Sequence, residues 1–76
     1  MVHAYVMVKT GTAASERIVE AARTLPEITE VHIVAGDFDL IAEVEVDEVY
    51  EVLQAAASKI QGIEGVVETR TYIALE

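Results

Sequence analysis

The segment at residues 35–40, AGDFDL, holds the side chains of this sequence that most suggest chemistry. Gly36 precedes two carboxylates, Asp37 and Asp39, which flank the aromatic Phe38. As a plain turn, the pattern predicts a positive φ at Gly36, aspartates that accept hydrogen bonds from turn amides, and a ring that covers a sheet edge. Two carboxylates at positions i and i+2 fall short of the about six to eight oxygens that Ca²⁺ requires, so no metal is predicted.

Catalytic arrangements are not evident elsewhere. The chain has no cysteine, and neither Ser15 nor Ser58 has a histidine at a spacing that indicates a nucleophile paired with a base. His3 and His32 are expected to be strand residues with satisfied ring nitrogens, and two histidines without cysteine do not favour a structural zinc site. The sequence therefore predicts no catalytic residue, no metal ligand and no cofactor. The nearest enzyme alternative is a degradative monooxygenase of related dimeric architecture.

Composition narrows the function classes further. The 76 residues carry a net charge of −9, with 14 acidic and 5 basic side chains, so autonomous nucleic-acid binding is not expected. No apolar run is long enough to span a membrane and no signal peptide is evident, which predicts a cytoplasmic protein. A single domain over residues 1–76 without cysteine is marginal alone, and oligomerisation is the expected stabiliser.

The hydrophobic pattern predicts the order β-α-β-β-α-β. Strands are expected over 2–10, 30–36, 39–46 and 66–75, and helices over 13–25 and 48–61, with Thr12 and Asp47 as their N-caps. The 36–39 segment is short enough to join the middle strands as a hairpin. Right-handed crossovers then give an α+β ferredoxin-like sandwich: a four-stranded antiparallel sheet in the order 4-1-3-2, with two helices on one face.

The second face of this sheet would lack a helical cover. Alternation on the first strand places Val2, Ala4, Val6 and Val8 on one side, which we assign to the helices. Tyr5 and Met7 then point to the open side, near Ile41 of the third strand. Either these side chains are part of the protein's own core, or they form a sheet-to-sheet homodimer, which we favour because monomers rarely expose large apolar patches.

Two short segments combine a turn, Gly36, Asp37, Phe38 and Asp39, with a later stretch that contains Gly65, Val66, Thr69 and Thr71. In this order and spacing they resemble the effector-binding (RAM) domain of the Lrp/AsnC transcriptional regulator family, and its stand-alone versions in particular. The resemblance covers essentially the whole chain and includes AYVMVKT in the first strand. The family's G-(D/x)-aromatic-D turn matches Gly36, Asp37, Phe38 and Asp39. Its G-V-x-x-T-x-T segment matches Gly65, Val66, Thr69 and Thr71.

The resemblance implies an effector site rather than a catalytic one. Dimers of such domains assemble further, often into octamers or decamers, and an amino acid or similar small molecule binds between dimers near the hairpin turn. The ligand-binding residues implied here are Gly36, Asp37, Phe38, Asp39, Thr69 and Thr71. Thr69 and Thr71 could equally be there only for their β-propensity.

The sequence also departs from the full-length family, because no DNA-binding helix-turn-helix precedes Val2. Direct contact with DNA is therefore not expected. The domain could be a free-standing amino-acid sensor, or a ligand-free oligomerisation partner of full-length regulators. Arg70 is expected to pair with Glu43 or Glu45 across the sheet.

Overall fold

A computed structural model describes all of residues 1–76 and contains the predicted β-α-β-β-α-β order. Its elements are β1 (Val2–Thr10), α1 (Ser15–Arg23), β2 (Ile28–Ile33), β3 (Leu40–Val46), α2 (Val49–Leu53) and β4 (Val66–Ile73). A π-helix over Gln54–Ile60 continues directly from α2. No helix in the structure is long and apolar enough to cross a bilayer.

The strands form one antiparallel sheet in the order β2-β3-β1-β4. This is the predicted 4-1-3-2 order read from the opposite edge, so the ferredoxin-like prediction is confirmed. β1 lies at the centre and pairs with β3 on one side and β4 on the other. The end of β1 therefore meets both the loop that precedes β3 and the start of β4.

The core lies between the helices and one face of the sheet. All 15 buried residues are apolar, so no charged or polar side chain pays a desolvation penalty there. β1 contributes Ala4, Val6 and Val8 and β3 contributes every second residue from Leu40 to Val44, as a strand with one buried face requires. The assignment of the small and branched residues of β1 to the helix side is confirmed.

The other face of the sheet, called here the open face, has no helix over it. Tyr5 and Met7 project from the open face, as predicted, because they alternate along β1 with the buried Ala4, Val6 and Val8. Ile41 of β3 projects from the same face, since it is the register partner of Met7. Tyr5 is 38% exposed and Tyr72, its partner on β4, is 56% exposed. The open face thus presents aromatic and apolar surface at its centre.

Both helix starts differ from the predicted caps. α1 begins at Ser15 with Ala14 as N-cap and no side-chain cap, because the chain first turns through Ala13 at φ 59°. Thr12 lies before this turn and is therefore too early to cap the helix. At α2 the N-cap is Glu48, one residue after the predicted Asp47. Glu51 Oε2 accepts the backbone N–H groups of Asp47 and Glu48 at 3.0 and 3.1 Å.

The second helical region is not a regular α-helix throughout, contrary to the prediction over 48–61. Only Val49–Leu53 is α-helical, and Gln54–Ile60 follows in the wider π form. The N–H of Gln61 accordingly donates to the carbonyl of Ala56, five residues back, at 3.2 Å.

Candidate functional site

Residues 34–39 connect β2 and β3 as a loop closed at its base. The N–H of Val34 donates to the carbonyl of Asp39 at 2.8 Å, and the N–H of Asp39 donates to the carbonyl of Val8 at 2.9 Å. The predicted antiparallel pairing of β2 with β3 is confirmed. The connection is longer than the predicted 36–39 turn because β2 already ends at Ile33.

Within this loop the backbone donors have no protein partner. The N–H groups of Ala35, Gly36, Asp37 and Phe38 donate to no backbone carbonyl and to no side chain. The predicted hydrogen bonds from loop amides to the aspartates are therefore absent. These N–H groups are therefore available to solvent or to a ligand.

Asp39 and Asp37 differ sharply in their surroundings. Asp39 Oδ2 accepts the N–H of Thr10 at 2.8 Å and the hydroxyl of Thr10 at 3.3 Å. That hydroxyl also lies 3.0 Å from the Ser15 hydroxyl, so Asp39 joins the loop to the end of β1 and the start of α1. Asp37 is exposed and its carboxylate contacts no donor of the protein. Asp39 thus anchors the loop while Asp37 is free.

Gly36 does not have the positive φ that the sequence predicted. Gly65 is the glycine with positive φ, at 103°. The loop changes direction over residues 36–39 and has six residues, so it does not need the left-handed residue of a two-residue turn. A Cβ added at Gly36 would meet no atom within 4 Å, so neither conformation nor packing of the free chain requires glycine there.

Phe38 links the loop to β4. The guanidinium carbon of Arg70 lies 5.7 Å from the centroid of the Phe38 ring, within the range of a cation–π contact. Arg70 also lies 3.4 Å from Glu68 Oε2. The predicted pairing of Arg70 with Glu43 or Glu45 is wrong, since β1 lies between β4 and β3.

Thr69 and Thr71 lie on the opposite side of the sheet from Arg70. Their register partners on β1 are Val8 and Val6, which face the helices. Thr69 Oγ1 accepts the side-chain amide of Gln61 at 2.7 Å. Thr69 also borders an open pocket of about 300 Å³ lined by Gln61 and residues 66–69.

Within one chain, the predicted site residues form two groups. Gly36, Asp37, Phe38 and Asp39 belong to one loop, and Thr69 is the fourth residue of β4, whose start lies at the same end of the sheet. Thr71 lies two register pairs beyond Thr69, and both threonines face the helices, so the two groups share no cavity. A ligand that touched both groups would have to bind where chains meet.

Both histidines contact carboxylates, as expected of satisfied ring nitrogens. His3 Nε2 lies 3.2 Å from Glu43 Oε1, and His32 Nε2 lies 3.1 Å from Glu30 Oε1 and 3.8 Å from Glu43 Oε2. What sequence reasoning missed is that Glu43 serves both histidines. The alternation of β3 places Glu43 and Glu45 on the open face, but the register that brings them to the histidines is set by the assembled sheet.

The strand order and the two helical segments together define a ferredoxin-like domain with an exposed loop at one end of its sheet. Residues 3–76 match the family model described as the Lrp/AsnC ligand binding domain. The chain belongs to the Lrp/AsnC ligand-binding domain family, as its two motifs indicated.

Individual relatives agree with this assignment. The leucine-responsive regulatory protein of Haemophilus influenzae is 36% identical over 56 residues, which cover 74% of this chain and 34% of that protein. A crystal structure from Thermus thermophilus has a TM-score of 0.95 at 32% identity and covers 100% of this chain and 95% of its own. A Neisseria meningitidis transcriptional regulator, solved as a complex with L-Met, has a TM-score of 0.88 at 17% identity over 99% of this chain and 50% of that chain, which shows the fold alone.

The chain spans between a third and a half of the length of the first two curated relatives, 34% and 44%. Those relatives are transcriptional regulators by name, not enzymes. The likeness therefore concerns the ligand-binding portion of longer regulators.

Proposed function

We propose that this domain binds an amino acid or a similar small molecule and acts as a cytoplasmic sensor in transcriptional regulation, without enzymatic activity and without direct contact to DNA. The observation that carries the proposal is the loop at residues 34–39, whose four successive N–H groups from Ala35 to Phe38 have no protein partner. Those donors lie beside Asp37, an exposed carboxylate without a partner.

These two features match the two charged ends of an amino acid. The effector's α-carboxylate would accept hydrogen bonds from the free amides, and its ammonium group would pair with Asp37. Gly36 would allow the ligand to approach the backbone closely, which explains a glycine where the free chain tolerates a Cβ. Asp39 holds the loop in place and Phe38 borders it, so both support the site rather than supply its charge.

Relatives support an amino acid as the effector class. The Haemophilus influenzae relative is named for its response to leucine, and the meningococcal regulator of the same fold was solved with L-Met. Both proteins are longer than this domain, so their effectors enter here as part of the proposal.

Self-association through the open face would complete the site. Tyr5, Met7 and Ile41 would pack against a second copy, and about 800 Å² buried per partner is ordinary for a stable interface. Dimers would assemble into an octamer or decamer, and Thr69 and Thr71 of one chain would reach a ligand held by the loop of a neighbour. The threonine hydroxyls would add hydrogen bonds that one chain alone does not offer its own loop.

A thermal-shift screen against the amino acids tests this proposal. A ligand at 100 times its Kd stabilises the folded state by about 2.7 kcal/mol. Because a domain of this size shifts by about 4–8 °C per kcal/mol, one amino acid should raise the Tm of the wild type by more than 10 °C at saturation. Asp37→Asn should abolish most of that shift, whereas Asp47→Asn, which removes an exposed aspartate outside the loop, should retain it.

The mass measured by light scattering completes the same experiment. Tyr5→Glu should lower the mass, whereas Tyr50→Glu, at an exposed tyrosine of α2, should leave it unchanged. No shift with any amino acid would contradict the sensor. If the wild type still self-associated, the domain would be a ligand-free partner of full-length regulators.

A further inference from the structure

A histidine and two glutamates converge on the open face, away from the 34–39 loop. Glu30 and His32 lie on β2 and Glu43 lies on β3, and one ligand atom from each lies within 4.8 Å of the others. His32 Nε2 is 3.1 Å from Glu30 Oε1 and 3.8 Å from Glu43 Oε2. The three side chains form a compact set of one nitrogen and two oxygen donors.

The sheet register makes this set electrostatically unusual. Glu30 and Glu43 are direct partners across β2 and β3, and like charges at such positions destabilise a sheet. No Lys or Arg lies within 4.0 Å of either carboxylate, and their ion-pair partners are histidines. Two adjacent carboxylates without a permanent cation are a site where a bound dication would remove a repulsion already present in the fold.

We propose that Glu30, His32 and Glu43 bind a divalent transition-metal ion of the Zn²⁺ type. Tetrahedral coordination at about 2.0–2.2 Å sets neighbouring ligand atoms about 3.3–3.6 Å apart. The separations of 3.1 and 3.8 Å around His32 Nε2 bracket that value. The two carboxylates balance the double positive charge, and a fourth position remains for water.

His3 is a positioning residue for this site. Its Nε2 lies 3.2 Å from Glu43 Oε1, the oxygen that does not face His32, and its Nδ1 lies 3.8 Å from Glu45 Oε2. The His3 ring also stacks on Tyr5 with centroids 5.2 Å apart, which fixes its orientation. His3 therefore orients the Glu43 carboxylate from outside the coordination sphere, as hydrogen-bonded partners of metal ligands commonly do.

The donor set favours particular metals. An imidazole nitrogen suits Zn²⁺, Cu²⁺ and Ni²⁺, whereas Mg²⁺ and Ca²⁺ prefer more oxygen ligands than two carboxylates supply. Every ligand atom comes from a single chain, so the site needs no residue of a second copy. The metal site uses none of the residues proposed for the effector, which lie in the 34–39 loop and on β4.

Calorimetric titration of the metal-free full chain with ZnCl₂ tests the proposal. The wild type should bind one Zn²⁺ per chain with saturation. His32→Ala and Glu30→Gln should each weaken binding by at least about 10-fold, and His3→Ala by about 10-fold, since it acts one shell further out. Glu64→Gln, which removes the same charge from an exposed glutamate elsewhere, should leave the affinity unchanged.

Co²⁺ as a second probe reports the ligand geometry through its visible absorption. The wild-type spectrum should show tetrahedral intensity, and His3→Ala should alter that spectrum while one ion per chain still binds. Circular dichroism checks that the variants are folded, and His32 is 54% exposed in its side chain, so its loss leaves no buried cavity.

Several results would overturn the proposal. These are the absence of saturable binding of one Zn²⁺ per chain, an unchanged affinity in His32→Ala, or an equal loss in Glu64→Gln and Glu30→Gln. Displacement of Zn²⁺ by a 100-fold excess of Ca²⁺ would likewise identify a non-selective acidic surface. The effector screen is run in EDTA, so its failure is separate from the failure of this titration.

Discussion

Two loops meet at the end of the sheet where β1 finishes, and they are built in opposite ways. The loop at residues 34–39 is anchored at its base and leaves four N–H groups without partners. In the loop at residues 61–65, the N–H groups of Gln61 and Ile63 donate to backbone carbonyls, whereas those of Gly62, Glu64 and Gly65 do not. The carbonyl of Gly65 accepts the N–H of Gly11 at 2.8 Å, and the carbonyl of Glu64 accepts Arg17 Nη1 at 3.0 Å. The second loop is held to α1 and to the residue after β1, whereas the first is held through Asp39 and leaves four consecutive N–H groups without partners.

Their glycines show the same contrast. Gly65 has φ 103°, and an added Cβ would lie 3.0 Å from Arg17 Nη2 and 3.1 Å from Ala14 Cβ. Gly36 has neither constraint. The fold of the free chain requires glycine at position 65 but not at position 36. Only Gly36 therefore needs a functional explanation.

The largest expected effect comes from alanine at these two positions. Gly65→Ala should lower the free energy of unfolding by about 1–3 kcal/mol, because alanine at that φ is strained and its methyl group crowds α1. Gly36→Ala should change it by less than about 0.5 kcal/mol. Urea unfolding measures both, and equal losses in the two variants would contradict the division between scaffold and ligand loop.

The two aspartates of the 34–39 loop are expected to differ in their effect on stability, by a smaller amount than the two glycines. Asp39→Asn should destabilise the fold by about 1–2 kcal/mol, since Oδ2 accepts two hydrogen bonds from Thr10 and the acceptor is charged. Asp37→Asn makes the same chemical change without a protein partner and should leave stability unchanged. A melting temperature that fell equally in both variants would show that Asp39 is not the anchor.

The smallest effect concerns the approach to the 61–65 loop, where Lys59 pairs with Glu27. The hydrogen bond from Lys59 holds the pKa of Glu27 below its ordinary value, against the desolvation of the carboxylate. A lowered folded-state pKa stabilises the protein above the unfolded pKa, and that contribution is lost as pH falls through the folded value.

Lys59 is 42% exposed, so solvent screening limits the contribution to about 0.5–1 kcal/mol. When the pH is lowered from 7 to below the pKa of Glu27, the free energy of unfolding of the wild type should therefore fall by about 0.5–1 kcal/mol more than that of Lys59→Met. Parallel urea titrations across pH measure the difference, and a pH-independent gap between the two proteins would refute the assignment.

The sequence predicted the faces of the sheet because alternation needs only neighbouring residues. Ala4, Val6 and Val8 define the buried parity of β1, and Tyr5 and Met7 follow automatically. The element order and strand order followed from short connections and right-handed crossovers. These features depend on local pattern and on general rules of chain topology.

The site was less predictable because its contacts join distant parts of the chain. Asp39 anchors to Thr10 and not to its own loop, so the turn rules that assigned it to local amides failed. Arg70 contacts Phe38 rather than Glu43 because β1 lies between β4 and β3 in the sheet. Which strands are neighbours is set by the order of strands in the assembled sheet. The pairing of Glu30 with Glu43 likewise depends on a register shift in β2 that the pattern does not reveal.

The central place of β1 governs how the domain is assembled as it is synthesised. Val2 pairs with Val46, and Ala4 pairs with both Val44 and Ile73, so the first strand made binds a strand from the middle and a strand from the end. Such pairings between distant residues slow folding, since the chain between them must be ordered first. A growing chain therefore holds an apolar, unpaired β1 edge until translation has passed Ile73.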